Sequence, residues 1–349
     1  MSDADMLEDK TSEWAAGQLM VIGFDGERYT RETGSLFRQV RPSGAILFSR
    51  NIRDATQTRQ LIRDIHSLIE DVTGAPAFIC LDQEGGRVSR LPEERFPTAR
   101  HICQKGGEAM VEEHFLMMGE RMAQLGFNVD FAPVLDMDTN PENPIIGDRA
   151  FGSDKETVIT MAAAARRGLD AARILSCAKH FPGHGGADKD SHLELPVDSR
   201  SRKRFLEHEL APFARWAMDE GHLVMTAHVA YPALDKSMLP ATLSRPIITG
   251  LLREKLGYDG VVVTDDLDMK ALADNFGDHD SARMALEAGC DILLCCRDRQ
   301  RIQNVYDTAQ AAVDTGSSMD MMEKKLARIA RLKAKLAPRE NNGKENTDA

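Results

Sequence analysis

Several features that would place the chain in a familiar class are missing from its sequence. No run of about 18 apolar residues occurs, so no membrane-spanning helix is expected. Residues 1–5 are acidic and lack the apolar core of a secretory signal, and we therefore expect a cytoplasmic protein. Six cysteines stand at positions 80, 103, 177, 290, 295 and 296 without a CxxC pair or a zinc-like spacing. This pattern predicts buried, reduced thiols and gives no sign of a structural metal site.

The balance of charge argues against two kinds of binding partner, nucleic acid and anionic membranes. The chain has 44 Lys and Arg against 55 Asp and Glu, a formal net charge of −11. Such an excess of acid disfavours general binding to nucleic acid or to an anionic membrane, while a local basic patch for a small anionic group stays compatible with it. Hydrophobic residues at 42% and charged residues at 28% are typical of a globular protein. We expect a monomer that binds a small molecule.

Short apolar runs recur along the chain, each followed by polar or by glycine- and proline-rich sequence. They predict eight strands, at residues 20–24, 45–49, 77–81, 129–135, 174–178, 223–227, 260–264 and 291–295. Helical period is found between them, for example at residues 54–70, 108–125 and 161–172. The acid of Ser153-Asp154 is placed to cap the last of these helices. Another helix is predicted at 320–336, the last ordered element.

Eight strands that alternate with helices predict an α/β protein with a single-domain TIM-like (β/α)8 barrel over residues 10–337. Disordered ends are expected at residues 1–9 and 338–349, which are polar. A doubly wound open sheet is the alternative architecture. Its nucleotide-binding forms need a glycine-rich turn after the first strand, and the turn Gly23-Phe24-Asp25-Gly26 is not GxGxxG.

The active site of such a barrel lies at the carboxyl ends of the strands. Titratable residues follow five successive predicted strands: the stretch 82–90, then Asp136 with 147–149, then 179–192, then His228, then Asp265 and Asp266. Acids, bases and arginines therefore converge on one rim. This combination suggests sugar chemistry, because cleavage of a glycosidic bond needs a carboxylate for the oxocarbenium-like centre and an acid for the leaving oxygen.

The roles can be assigned in part from position. Asp265 ends a strand and suits the nucleophile, whereas the adjacent Asp266 should point away because strand side chains alternate. His192 can act as the general acid, since a histidine titrates near neutral pH. Asp190, two residues earlier, can orient the imidazole and stabilise its cation.

A second group of residues is suited to holding a sugar. Lys179 and His180 lie at a strand end and can donate to hydroxyl groups. Arg90 and Arg149 can hold a carboxylate or hydroxyls through the guanidinium fork, and Asp82 can accept from two hydroxyls. His184 has no assigned role beyond structuring its loop.

These stretches carry a resemblance to a known family. The segment 179–185 (KHFPGHG) with Asp190-Ser191-His192, the segment 81–90, the segment 147–152 (GDRAFG) and the segment 264–269 (TDDLDM) resemble family 3 glycoside hydrolases. The most similar branch is the single-domain β-N-acetylglucosaminidases of peptidoglycan recycling. The likeness runs in the same order from about residue 15 to 335, and the KHFPGHG-x4-DSH motif is the most specific part.

The resemblance implies a retaining, two-step reaction through a covalent glycosyl-aspartate. Asp265 matches the family nucleophile, His192 its acid/base and Asp190 the dyad partner, with Asp82, Arg90, Arg149, Lys179 and His180 matching the residues that hold N-acetylglucosamine. The implied substrate is N-acetylglucosamine joined to anhydro-N-acetylmuramic acid, with no metal and no cofactor.

Other readings stay open from the sequence. Within the family they are a β-glucosidase and an N-acetylglucosaminide phosphorylase that uses phosphate in place of water. Outside it, the histidines at 180, 184, 192 and 228 with Asp265 suit a metal-dependent hydrolase. A non-catalytic sugar-binding protein is a further alternative, although it would not need both the nucleophile and the acid.

Overall fold

The computed structural model describes residues 11–91, 95–187, 195–315 and 319–336. The predicted disordered ends at 1–9 and 338–349 lie outside this part of the chain, as do Asp190 and His192. Among the helices of the described residues, none is both long and apolar enough to cross a bilayer.

Eight parallel strands form the barrel. They are β1 (Met20–Ile22), β2 (Gly44–Ile46), β3 (Phe78–Leu81), β4 (Val129–Asp130), β5 (Leu175–Phe181), β6 (Leu223–Thr226), β7 (Val261–Val263) and β8 (Leu293–Cys295). From β1 to β7 each strand pairs in parallel with the next along the chain, and β1 also pairs with β8. A parallel bridge from Val263 to Ile292 joins β7 to the start of β8. The predicted TIM-like barrel is confirmed, and the open sheet is wrong.

Helices surround the strands. The α-helices are α1 (Ser12–Gln18), α2 (Arg31–Val40), α3 (Ala55–Thr73), α4 (Ala99–Leu125), α5 (Lys155–Ala171), α6 (Arg202–Arg204), α7 (Ala211–Met218), α8 (Lys270–Ala273), α9 (Asp278–Ala288), α10 (Arg299–Asp314) and α11 (Met319–Ala334). Shorter 3-10 turns cover Ser49–Asn51, Gly147–Arg149 and Ala241–Leu243, and π-helical segments cover Phe205–Glu209 and Pro246–Lys255.

Local sequence explains where several helices begin and how they pack. Asp54 and Asp154 accept hydrogen bonds from the N–H groups of Gln57 and Thr157 and so begin α3 and α5, the latter as predicted. Helix α4 is interrupted at Gly107, which has φ 60°, so the predicted helix at 108–125 is the part beyond the kink. Gly168 of α5 lies against α4 so closely that a Cβ would come within 2.4 Å of the Glu112 carbonyl oxygen.

Two strands differ from the prediction, and both differences affect the site. β4 ends at Asp130 although the apolar run continues to 135, because Pro133 has no N–H to donate to a neighbouring strand. β5 instead continues to Phe181, past the predicted end at 178. Lys179 and His180 are therefore residues of a buried strand, held in the barrel wall, and their mutual peptide bond is cis.

Candidate active site

A cavity of about 120 Å³ opens at the carboxyl ends of the strands. Its walls come from the loops after β3 and β4, from β5 and the loop after it, and from the ends of β6 and β7. Eleven residues line it, namely Asp82, Glu84, Val88, Arg90, Ile145, Arg149, Lys179, His180, His184, Met225 and Asp265. The structure thus brings together the six described residues predicted for the site: Asp82, Arg90, Arg149, Lys179, His180 and Asp265.

The loop after β3 is folded back by its own side chains. The side-chain oxygen of Gln83 accepts a hydrogen bond from the backbone N–H of Arg90 at 2.8 Å. The side-chain amide nitrogen of Gln83 donates to the Ser89 hydroxyl at 2.8 Å. Gly85 turns the chain at φ 91°, where a Cβ would meet the Pro97 carbonyl oxygen at 2.2 Å. Only glycine fits this turn. The turn sends the loop back toward the barrel, so that Arg90 lines the same cavity as Asp82.

Glu84 connects two cations at the centre of the cavity wall. Its carboxylate accepts two hydrogen bonds from Arg149, both 2.8 Å, and one oxygen lies 2.6 Å from Lys179 Nζ. Lys179 also donates to Asp82 at 2.8 Å. Burial opposes the charges of Glu84, Lys179 and Arg149, but their oppositely charged partners dominate. The pKa of the Glu84 carboxyl is held well below its usual range by Arg149 and Lys179.

The cations of this network respond in the same way. Burial alone would lower the pKa of Lys179, yet Asp82 and Glu84 raise it above its ordinary value. Burial would also lower the pKa of Arg149, and Glu84 raises it. Glu84, Lys179 and Arg149 are therefore ionised at neutral pH, and their polar atoms are fixed before any ligand enters.

Asp136 holds the neighbouring histidines. It is fully buried, and its Oδ2 lies 2.7 Å from His180 Nδ1 while the backbone N–H of His184 donates to Oδ1 at 2.6 Å. Burial would raise the pKa of Asp136, but His180 and the contacts from His184 lower it below its usual value. With Nδ1 engaged, His180 presents Nε2 to the cavity.

His184 has a structural position beside the same pair. Its ring packs edge-on against that of His180, with centroids 5.7 Å apart, and its carbonyl oxygen accepts from Asn143 at 3.0 Å. Burial, followed by the charge of His180, lowers the pKa of His184 to about 4. A neutral His184 that organises its loop agrees with the expectation from the sequence.

Asp265 completes the described part of the site at the end of β7. Its Oδ1 accepts from the backbone N–H of Asp266 at 2.8 Å. Burial would raise the pKa of Asp265, but His228 and His180, the Asp266 N–H and Lys179 together lower it. The carboxylate is therefore anionic at neutral pH, as a nucleophile must be.

Asp266 points away from the cavity, as expected from strand alternation. Its side chain accepts from the N–H groups of Cys296 and Asp268, at 3.1 and 3.0 Å. Its backbone carbonyl oxygen lies 3.0 Å from Nε2 of His228, which is buried at the end of β6. Asp266 thus connects the backbone next to Asp265 to the residues that follow β8 and β6.

Arg90 offers an unused donor. Its guanidinium lies over the Phe48 ring at 5.7 Å, and within the described residues its buried Nε has no hydrogen-bond partner. A buried N–H without an acceptor is costly, so an oxygen of a bound ligand would satisfy it. Asp190 and His192, the predicted acid/base pair, fall outside the described residues.

The described histidines do not form a metal site. Nδ1 of His180 is engaged by Asp136, and Nδ1 of His228 lies 2.7 Å from the Thr242 hydroxyl. Across the part of the chain that the structure describes, no group of three or more His, Cys, Asp or Glu side chains is arranged to hold a metal ion.

Comparison with known proteins now defines the class. The model of the glycosyl hydrolase family 3 N-terminal domain matches residues 11–332. "Beta-hexosaminidase A" of Pseudoalteromonas piscicida is 36% identical over 87% of this chain and 55% of its own length. A "Beta-hexosaminidase" of Alkalilimnicola ehrlichii is 39% identical over 82% of each chain. The chain thus spans about half of the first relative and most of the second.

A solved structure agrees with this. The family 3 β-N-acetylglucosaminidase from Paenibacillus sp. str. FPU-7 superimposes with a TM-score of 0.91 at 35% identity, covering 97% of this chain and 65% of that one. The chain belongs to glycosyl hydrolase family 3, as its motifs predicted. The expected class, a glycoside hydrolase with β-N-acetylhexosaminidases as relatives, is confirmed.

The sequence predicted no role for Glu84 or Asp136, and for His228 only that of a ligand in the alternative metal-dependent hydrolase. Each was visible as a polar residue shortly after a predicted strand, but its partner was not. Glu84 meets Arg149 across 65 positions of sequence, and Asp136 meets His180 across 44. An acid shortly after a predicted strand, on the rim that also holds arginines and a lysine, is the signal that could have found the two acids.

Proposed function

We propose that the chain is a retaining exo-β-N-acetylhexosaminidase that releases terminal β-linked N-acetylglucosamine. The observation that carries the proposal is Asp265, a carboxylate of lowered pKa that faces the same small cavity as Lys179, Arg149 and Asp82. An anionic nucleophile beside a fixed set of hydroxyl-binding groups is the arrangement that glycosyl transfer to an enzyme carboxylate requires.

The first step displaces the leaving group. The Asp265 carboxylate attacks the anomeric carbon, the bond from that carbon to the glycosidic oxygen breaks, and the oxygen takes a proton from the general acid. We assign this acid to His192, with Asp190 as its partner, on the resemblance of the DSH motif alone. The product of the step is a glycosyl-aspartate ester on Asp265.

The second step returns the enzyme to its starting state. The imidazole now accepts a proton from water, which attacks the anomeric carbon and breaks the ester bond to Asp265. Two inversions give net retention, so the sugar leaves as the β-anomer. Asp82, Arg90, Arg149, Lys179 and His180 are proposed to hold the sugar hydroxyls and the N-acetyl group throughout.

The proposed leaving group is anhydro-N-acetylmuramic acid, with or without its peptide, which would place the enzyme in peptidoglycan recycling. This part of the proposal is supported by the KHFPGHG-x4-DSH segment at 179–192, which resembles the recycling branch of the family. It predicts a higher kcat/KM for the N-acetylglucosaminyl-anhydromuramyl disaccharide than for chitobiose, measured by release of N-acetylglucosamine. Equal rates on the two disaccharides would contradict it.

Activity on chromogenic glycosides tests the main proposal. The enzyme should hydrolyse the β-N-acetylglucosaminide in preference to the β-glucoside and β-xyloside, each assayed with and without phosphate. Asp265→Asn should lower kcat on the preferred substrate by about 10³-fold or more. The neighbouring Asp268→Asn provides a matched change outside the cavity. Near wild-type turnover by Asp265→Asn, or faster glucoside cleavage, would overturn the proposal.

A further inference from the structure

A second cavity, of about 490 Å³, lies outside the barrel. It is bounded by the π-helical segment Pro246–Lys255, by the end of α9 and by helix α11. It adjoins Gly289, which ends α9 before β8 begins, so it lies toward the amino ends of the strands. The active-site cavity opens at the carboxyl ends. Neither the proposed reaction nor the motifs of the sequence use this second cavity.

Five cations line this cavity: Arg245, Arg253, Lys324, Lys325 and Arg328. Three of them are largely buried, with side-chain exposures of 11% for Arg253 and 17% for Arg328 and a residue exposure of 1% for Lys325. On a chain with a net charge of −11, a concentration of buried positive charge needs a specific explanation.

The buried cations exceed the buried acids beside them. Arg253 and Arg328 both bind the fully buried Asp291, at 2.5 and 3.2 Å. Lys325 Nζ has only a neutral acceptor among its hydrogen bonds in the described residues, the Cys290 carbonyl oxygen at 2.6 Å. Arg328 also reaches Asp259, but that acid is 65% exposed and is shared with Arg331.

The acids at the opening are already engaged. Asp320 lies 2.6 Å from Lys324, and Glu287 lies 3.0 Å from Arg283. Arg245 is exposed, and in the described part of the chain no side chain or carbonyl pairs with its guanidinium. Among the described residues, the arginine at the mouth of the cavity thus has no protein partner, and the interior behind it is lined by buried cations.

We propose that this cavity binds a small molecule carrying a phosphate-type oxyanion, held by Arg245 at the mouth with Lys325, Arg253 and Arg328 behind it. A multiply charged oxyanion accepts several charge-assisted hydrogen bonds at once, and arginine is suited to that geometry. Bound there, it would neutralise the surplus positive charge that burial makes unfavourable.

The electrostatics of Lys325 agree with the geometry. Burial lowers the pKa of Lys325, and the charges of Arg253 and Arg328 lower it further against the opposing effect of Asp291. An anion bound in the cavity would raise the pKa of Lys325. Thr249, whose hydroxyl donates to the Ala288 carbonyl oxygen at 2.7 Å, fixes the wall between the π-helical segment and α9.

Calorimetric titration with inorganic pyrophosphate tests the proposal at constant ionic strength. Wild-type protein should bind one equivalent saturably, and Arg245→Gln should weaken the affinity about tenfold, the loss of one charge-assisted hydrogen bond. Arg63→Gln, which removes an exposed arginine from the outer helix α3, is the matched control and should bind as wild type. Arg245→Gln should keep wild-type activity on a chromogenic N-acetylglucosaminide.

Three outcomes would overturn the proposal. One is the absence of saturable binding to the wild-type protein. Another is an equal effect of Arg245→Gln and Arg63→Gln, since that would mean non-specific attraction. The third is binding that Arg245→Gln retains but Arg90→Gln abolishes, because pyrophosphate would then occupy the active-site cavity. None of these outcomes depends on whether the glycosidase proposal is correct.

Discussion

The Glu84 carboxylate accepts hydrogen bonds from both Nε and Nη2 of Arg149, at 2.8 Å each, and its exposed side-chain fraction is 4%. A bidentate pair this deeply buried sets the plane of the guanidinium and leaves Nη1 to the Ile145 carbonyl oxygen at 3.2 Å. Both oxygens of Glu84 bind these cations, Oε1 contacting Arg149 and Lys179 and Oε2 contacting Arg149, so Glu84 positions the two cations. We infer that it acts on substrate binding through these two cations.

Glu84→Gln tests this positioning role. The amide keeps the shape but loses the charge that balances Lys179 and Arg149, so both cations lose their fixed orientation. We expect kcat/KM on an N-acetylglucosaminide to fall by about 10- to 100-fold, mainly through KM. The free energy of unfolding should fall by about 2–4 kcal/mol, because a buried charge pair loses one partner.

Asp148→Asn is the control for that experiment. Asp148 is an exposed acid in the same 3-10 turn as Arg149, so its neutralisation changes the net charge equally without touching the pair. It should leave KM and urea unfolding unchanged. If Glu84→Gln behaved like this control in its kinetics, the positioning role would be wrong.

Asp136→Asn, which changes the residue that binds His180, should lower the stability of the protein by an amount that depends on pH. The folded-state pKa of Asp136 is lowered, so its contribution to stability is present above the unfolded pKa and is lost as the pH falls through the folded value. The variant should therefore be less stable than wild type at pH 7, with a difference that shrinks below about pH 4. Urea unfolding from pH 3 to 7 measures this. A difference that stayed constant across the range would contradict the lowered pKa of Asp136.

Asp266→Asn should show the opposite pH dependence. Burial and the neighbouring Asp268 raise the pKa of Asp266 to about 7. Because the pKa is raised in the folded state, the protonated carboxyl stabilises the fold at low pH. This contribution to stability is lost as the pH rises through 7. Relative to wild type, the variant should gain roughly 1–3 kcal/mol between pH 4 and 8. The comparison is urea unfolding at the two pH values, and a loss of relative stability at pH 8 would refute the assignment.

The barrel could be predicted because its signals are local. Each strand is a short apolar run, and each run predicted one observed strand, with bounds shifted by a few residues. The two exceptions have different causes, one within the predicted run itself and one in a neighbouring strand. Pro133 stops β4 despite an apolar sequence, whereas pairing with β6 carries β5 on to Phe181 through the polar Lys179 and His180.

The site was predictable to the extent that its residues follow strands directly. Asp82, Lys179 and Asp265 could be placed on one rim by the topology of a barrel. The roles of Glu84 and Asp136 could not, since a role in orienting another side chain depends on a distance that sequence does not contain. The same holds for Lys325, whose surplus charge becomes apparent only when Asp291, Arg253 and Arg328 are seen together.

The buried Lys333, which lies outside the candidate active site, predicts a further pH dependence of stability. Its Nζ donates to the Gln18 side chain at 2.7 Å, the residue is 4% exposed, and burial lowers its pKa to about 7. A lysine whose folded-state pKa is depressed disfavours folding at low pH, so stability rises as the pH increases from 7 toward 10. Lys333→Met should remove that rise. Thermal unfolding of both proteins at pH 7 and 9.5 measures it, and parallel pH profiles would contradict it.

Covalent trapping is the most direct test of the central claim, that Asp265 is the nucleophile of a retaining β-N-acetylglucosaminidase. A 5-fluoro N-acetylglucosaminyl fluoride forms the glycosyl-enzyme through its good leaving group, while the ring fluorine slows hydrolysis by destabilising the oxocarbenium-like transition state. Peptide mass spectrometry should then find one glycosyl adduct on Asp265, absent from Asp265→Asn. An adduct on another residue, or steady turnover with no adduct at all, would contradict the account.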